Sequence, residues 1–127
     1  AKYYGEALGL GGQMQSEVGT YSKGMRQKLA IAMTLVHAPE VVLLDEPAAG
    51  LNDEESARLV ALLRDISKLR GITILLVEHD MNVVMGISDH VVVLDYGRMI
   101  AEGTPEDVRT DPAVVRAYLG EDDEGGP

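Results

Sequence analysis

Two short apolar runs, each ending in acid, constrain the fold of this chain more than any other feature. Val41-Val42-Leu43-Leu44 leads into Asp45-Glu46-Pro47, and Ile72-Thr73-Ile74-Leu75-Leu76-Val77 leads into Glu78-His79. An unbroken apolar run before the acids predicts a strand buried on both faces, as parallel sheets require. Between the runs, Leu59, Leu62, Leu63, Ile66 and Leu69 recur at helical spacing. The segment 53–69 is therefore expected to be the crossover helix that parallel strands need. Such a unit delivers its acids to the carboxyl edge of the sheet, where open α/β sheets bind ligands.

The rest of the chain continues the alternation. A short helix is expected around residues 2–8, with a glycine-rich turn at 9–12. Ser22 is placed to cap a helix running to His37, with Leu29, Met33 and Val36 on one face and Pro39 ending it. A helix over 81–87 and a strand over 90–95 follow. Asp95-Tyr96-Gly97-Arg98 reads as a hairpin turn with Met99-Ile100-Ala101 returning antiparallel. Thr104-Pro105 and Asp111-Pro112 each start a short helix with proline in the first helical position. No repeat or linker interrupts residues 1–120, which are expected to form one domain, whereas 121–127 read as an acidic disordered tail with nothing to bury.

Asp45 and Glu46 are expected to point opposite ways, as successive residues of an extended strand do, so they can do different work. One carboxylate suits a metal ion held with water, the other a water to be oriented or deprotonated. A polar turn closed by Pro47 would explain the same letters. Likewise Ser22 is a good helix cap on any reading, and His79 alone would be an ordinary residue at a strand end.

Taken together, these segments resemble a known family. Leu44-Asp45-Glu46-Pro47-Ala48-Ala49-Gly50-Leu51-Asn52 and Leu76-Val77-Glu78-His79-Asp80-Met81 are similar to the Walker B, D-loop and H-loop series of ABC-type ATPases. Tyr21-Ser22-Lys23-Gly24-Met25-Arg26-Gln27-Lys28-Leu29 stands where that family carries its signature motif. The resemblance implies that Asp45 positions Mg²⁺, Glu46 polarises the attacking water and His79 reaches the γ-phosphate of ATP. It also implies that Ser22, Lys23 and Gly24 contact a nucleotide held mainly by an opposing subunit, and that residues 49–52 cross the dimer seam. Lys23 and Met25 stand where the usual signature has Gly and Gln, and Asn52 replaces the D-loop Asp.

From Asp45 onward the closest likeness is to the ATPase subunits of branched-chain amino acid importers, through Glu78-His79-Asp80-Met81, Glu102-Gly103-Thr104-Pro105 and Arg116-Ala117-Tyr118-Leu119-Gly120. The signature region is more similar to drug and polysaccharide exporter ATPases. The 127 residues contain no Gly-x-x-x-x-Gly-Lys-Ser/Thr segment. Gly19-Thr20-Tyr21-Ser22-Lys23-Gly24-Met25-Arg26 imitates its glycine spacing, but Met25 and Arg26 occupy the lysine and hydroxyl positions. The expected fold is therefore α/β: a partial P-loop NTPase-like architecture, a mostly parallel sheet with flanking helices and a C-terminal β-hairpin, lacking the P-loop strand.

Composition narrows the partners. A formal net charge of −10 argues against nucleic acid, whose phosphates select basic surfaces. No cysteine is present, which excludes disulfides and thiolate chemistry. No apolar stretch approaches the roughly 20 residues that span a bilayer. The resemblance implies a cytoplasmic location at the inner face of the membrane, with a second nucleotide-binding domain and transmembrane permease subunits as partners. Two functions follow from these readings: part of an ATP-hydrolysing transporter subunit, active only with a P-loop-bearing segment, or a non-hydrolysing binding or regulatory module that pairs with a complete ATPase. A DNA-repair or translation ATPase piece is disfavoured by charge.

Overall fold

Ser22 sets where the first described helix begins. The computed structural model describes residues 22–119, so the expected helix at 2–8, the glycine turn at 9–12 and the tail at 121–127 lie outside the described residues. Ser22 is extended, with its hydroxyl accepting the Met25 N–H, and α1 (Lys23–Leu35) follows. The helix stops short of the expected His37. Ala38 precedes Pro39, which disfavours the right-handed helical region for it; it takes a φ of 47°, and its N–H closes a turn on the Leu35 carbonyl.

The chain falls into two compact units, one up to Val83 and one from Val84 onward. In the first, β1 (Val41–Asp45) and β2 (Thr73–Val77) pair in parallel from Val41 opposite Thr73 to Asp45 opposite Val77. They are joined through α2 (Asp53–Arg70). Asn52 caps α2 with a reciprocal box: its side chain accepts the Glu55 N–H, and the Glu55 carboxylate accepts the Asn52 N–H. Acids in the first turn and Lys68 and Arg70 in the last complement the helix dipole, and Gly71 closes the helix in the left-handed conformation. Ala32 of α1 packs with Met25, Leu29, Leu62 and Ile66, joining the two helices. Ile31, Leu35, Leu59, Leu63 and Val42 are also buried.

One expectation about the strands is not met. Val42 is buried and Leu44 half-buried, but Val41 is 61 % and Leu43 63 % exposed, and Leu75 and Val77 on β2 are exposed as well. Residues of one parity therefore face a core, while nothing among the described residues covers the other parity. A parallel sheet needs a layer on each face to bury both, and the described residues supply only one. The α/β class, the parallel pair and the C-terminal hairpin match the expectation.

Asp80 caps α3 (Met81–Ile87) by accepting the Asn82 and Val83 N–H groups. In the second unit, β3 (Val91–Asp95) and β4 (Arg98–Gly103) form the expected antiparallel hairpin. Tyr96 and Gly97 both have positive φ, the twist that suits a two-residue hairpin turn. The register slips between Val93 opposite Ala101 and Leu94 opposite Met99, so Ile100 is a bulge. Thr104 caps α4 (Pro105–Thr110) and Asp111 caps α5 (Pro112–Val114), with a π-helical turn (Val115–Leu119) after it. Val91, Val93, Val108 and Val114 are buried in this unit, and the Tyr118 hydroxyl donates to the Leu94 carbonyl. His90, read from sequence as an ordinary strand-start residue, meets Glu102 at 3.0 Å.

Candidate functional site

Parallel register brings the carboxyl ends of β1 and β2 side by side, since Asp45 is opposite Val77. The next residue, Glu46, donates its N–H to the Val77 carbonyl at 2.8 Å, extending the ladder by one bond. It then leaves the strand with a φ of 45°. A left-handed conformation costs a residue with a Cβ about 1–2 kcal/mol, and such strain persists where surrounding bonds over-determine it. Here they do: the Glu46 carbonyl accepts the Ala49 N–H at 3.0 Å, and the Ala48 N–H is held by the Glu78 carboxylate at 2.8 Å.

The turn aims the Glu46 carboxylate at His79, with Oε1 3.3 Å from Nδ1. Their side chains are 54 % and 71 % exposed. An exposed pair of this kind is worth only about 0–1 kcal/mol, so it contributes little to folding and both groups remain open to a ligand. Asp45 is exposed at the end of β1. No cluster of three or more His, Asp or Glu residues able to cage a metal exists among the described residues. A lone exposed carboxylate does fit Mg²⁺, which keeps several waters and is commonly bound through one or two carboxylates plus substrate phosphates.

The start of α1 is the second part of the site. Residues at a helix start have N–H groups with no intrahelical acceptor; Met25 donates to Ser22 Oγ, leaving those of Lys23 and Gly24. A Cβ on Gly24 would come no closer than 3.8 Å to Glu55 Oε1 and 4.0 Å to Leu51 Cδ2, so the helix start is sterically open on that side. An open cleft of ≈ 150 Å³ lies there, lined by Ser22, Gly24, Lys28, Leu51, Glu55 and Arg58 among others. Free amides at a helix N-terminus with lysines beside them fit an anionic phosphate. Arg58 is engaged by Glu54 one turn earlier.

Lys23 does not stand free of this arrangement. Its chain lies over Gly50, where an added Cβ would sit 2.1 Å from Nζ and 2.9 Å from Cε. The lysine side chain thus lies against the turn that follows Glu46. Asp45, Glu46 and His79 are brought together at one strand edge; among the described residues Ser22 and Gly24 share no hydrogen bond or ion pair with them. Sequence reasoning passed over Glu78, although its place between strand and histidine was visible. It also read Asn52 only as a loop position, although Asn-x-x-Glu is a capping-box spacing.

Comparison with known proteins follows the same lines. The ABC transporter family model matches residues 2–49, and that of the branched-chain amino acid ATP-binding cassette transporter matches residues 98–124. The chain corresponds to the C-terminal part of an ABC transporter ATP-binding subunit. It is 48 % identical over 103 residues to the high-affinity branched-chain amino acid transport ATP-binding protein BraF of Pseudomonas aeruginosa, covering 81 % of this chain and 40 % of that protein. It is 45 % identical over 116 residues to LivG of Salmonella typhimurium, a protein of the same description, covering 91 % and 46 %. The ADP conformation of MJ1267, an ATP-binding cassette of an ABC transporter, superimposes with a TM-score of 0.83 at 31 % identity, over 94 % of this chain and 48 % of the other. The ABC-type chain therefore spans under half the length of these relatives. Among its described residues no helix is long and apolar enough to cross a membrane.

Proposed function

We propose that this chain is part of the ATP-hydrolysing subunit of an ABC transporter for branched-chain amino acids, with residues 1–120 as the C-terminal part of its nucleotide-binding domain and 121–127 as a tail. The observation that carries the reading is the Glu46–His79 pair at 3.3 Å, held open to solvent at the joined ends of β1 and β2. The transported class rests on what BraF and LivG are named for.

In this reading Glu46 orients the attacking water and takes up its proton on Oε. The left-handed turn keeps that carboxylate off the sheet. His79 donates to the γ-phosphate of ATP from the side opposite its contact with Glu46. Asp45 would hold Mg²⁺, which would supply neutralisation of the charge on the nucleotide's phosphates. Ser22 Oγ and the Lys23 and Gly24 N–H groups receive the γ-phosphate of a nucleotide bound chiefly by a second nucleotide-binding domain. The primary phosphate cradle comes from a P-loop-bearing segment, which the 127 residues do not contain. Permease subunits hold the assembly at the inner face of the membrane.

A second reading is a binding module that completes another ATPase without hydrolysing anything itself. Phosphate release by the complete ATPase containing this chain separates the two. Under the first reading Glu46→Gln lowers turnover by about 100- to 10,000-fold, as loss of a general base does, while ATP binding persists. Turnover within twofold of the unsubstituted protein would sink it and leave the second.

A further inference from the structure

Glu78 is half-buried between the two strand ends and binds both of the segments that carry the proposed chemistry. Its Oε1 accepts the Ala48 N–H at 2.8 Å, and its Oε2 accepts the His79 N–H at 3.2 Å. The Ala48 bond spans 30 residues of sequence. It is also a bond that the turn has no other way to make. Pro47 has no N–H to offer, and the Ala49 N–H is used inside the turn on the Glu46 carbonyl. Past the Glu46 N–H itself, Ala48 is therefore the one backbone donor between 46 and 49 that reaches β2's end.

That donor matters because of where it sits. Ala48 is 7 % exposed, so without its acceptor the N–H would be left in a largely dry place, which is the expensive way to lose a hydrogen bond. Two residues upstream, Glu46 is held at a φ of 45°, a conformation that relaxes once its surroundings stop enforcing it. The acceptor is a carboxylate with both oxygens engaged by N–H groups, the stronger charge-assisted kind of bond.

We infer that Glu78 is a positioning residue: its carboxylate clamps the Glu46–Ala48 turn to the His79 backbone and so keeps the Glu46 and His79 side chains in their 3.3 Å arrangement. The inference rests on the proposed hydrolytic role of Glu46. It assigns Glu78 no contact with nucleotide, so its effect falls on the chemical step and not on binding.

Three substitutions grade the clamp. Glu78→Gln keeps a carbonyl oxygen for Ala48 but turns an NH₂ toward the His79 N–H. Glu78→Asp is one methylene too short for the Ala48 bond, and Glu78→Ala removes both acceptors. In the complete ATPase, kcat is expected to fall roughly tenfold for Ala and for Asp, and less for Gln, in keeping with the loss of charged hydrogen bonds. KM for ATP stays within about twofold. In the 127-residue chain, amide exchange by NMR is expected to speed up at Ala48 and His79 in the Ala variant, with the strand amides of β1 unchanged.

Should Glu78→Ala fail to fold, the graded comparison of Gln with the unsubstituted chain carries both readouts. Wild-type kcat in every folded variant, or a rise in KM at constant kcat, overturns the inference, as does unchanged exchange at Ala48. Glu46→Gln in parallel separates two failures: if it abolishes turnover while the Glu78 variants keep theirs, only the clamp is wrong, whereas normal turnover in Glu46→Gln removes the hydrolytic reading itself.

Discussion

Gly50 and Gly71 share a backbone conformation and differ in what surrounds them, which allows the Lys23 contact to be measured. Their φ angles are 73° and 62°. An alanine in the left-handed region loses about 1–2 kcal/mol, partly offset by about 0.4–1 kcal/mol from a stiffer unfolded chain. At Gly71 an added Cβ meets nothing within 4 Å, so Gly71→Ala is expected to destabilise by about 1 kcal/mol, the backbone difference alone. At Gly50 the Cβ would fall 2.1 Å from Lys23 Nζ and 3.2 Å from Cδ. The obstacle is the end of a flexible exposed side chain, which swings away and forfeits its contact with the turn. That adds roughly 0.5–1 kcal/mol, the size typical of coupled neighbours, for a total of about 1.5–2 kcal/mol. In a Lys23→Ala background the Gly50→Ala cost should drop to that of Gly71→Ala. Urea denaturation of the four variants with unchanged m-values is the assay. Equal costs at Gly50 and Gly71, or a Gly50→Ala cost that ignores Lys23→Ala, would refute the placement of the lysine over the turn; a neutral Gly71→Ala would refute the strain term.

Asn52→Ala should lose about 1 kcal/mol by opening the capping box of α2, with Asn52→Ser retaining most of it; equal melting temperatures for the two would contradict the box. Leu63→Ala removes a side chain that is 1 % exposed and is expected to cost about 2–5 kcal/mol in urea unfolding, against under 1 kcal/mol for Leu69→Ala at 82 % exposure. The isolated 127-residue chain should bind Mg-ATP weakly or not at all, because positioning by the phosphate cradle dominates this chemistry; micromolar affinity by calorimetry would contradict that. Ser22→Ala is expected both to lower stability by about 1 kcal/mol through the lost cap and to weaken ATP-dependent pairing with a second nucleotide-binding domain, read by analytical ultracentrifugation.

Local signals carried most of the secondary structure. The Ser22 cap, the α2 stripe of Leu59, Leu62, Leu63 and Ile66, the Gly71 stop, the proline starts at Pro105 and Pro112 and the Tyr96-Gly97 turn all depend on neighbours within a few residues, and each lies where the pattern put it, whereas Leu69, expected on the same stripe, is exposed. The acid-ended strands were equally legible, because a short apolar run that ends in acid has little else to be. Burial was not. Whether Val41 and Leu43 are covered depends on which layers lie against the sheet, and a run of apolar letters is the same with one layer or with two.

The sequence by itself determined the chemistry on offer: which residue types sit at strand ends, which helix starts present free amides, and that no P-loop motif occurs in these 127 residues. Tertiary structure decided what those residues do to one another. Glu46 and His79 are separated by a whole helix and a strand in sequence, and it is the parallel register of Asp45 with Val77 that puts them within 3.3 Å. The clamp by Glu78 depends on the same register, which is a property of paired strands, absent from either strand alone, whereas the lysine over Gly50 depends on how α1 lies against the turn.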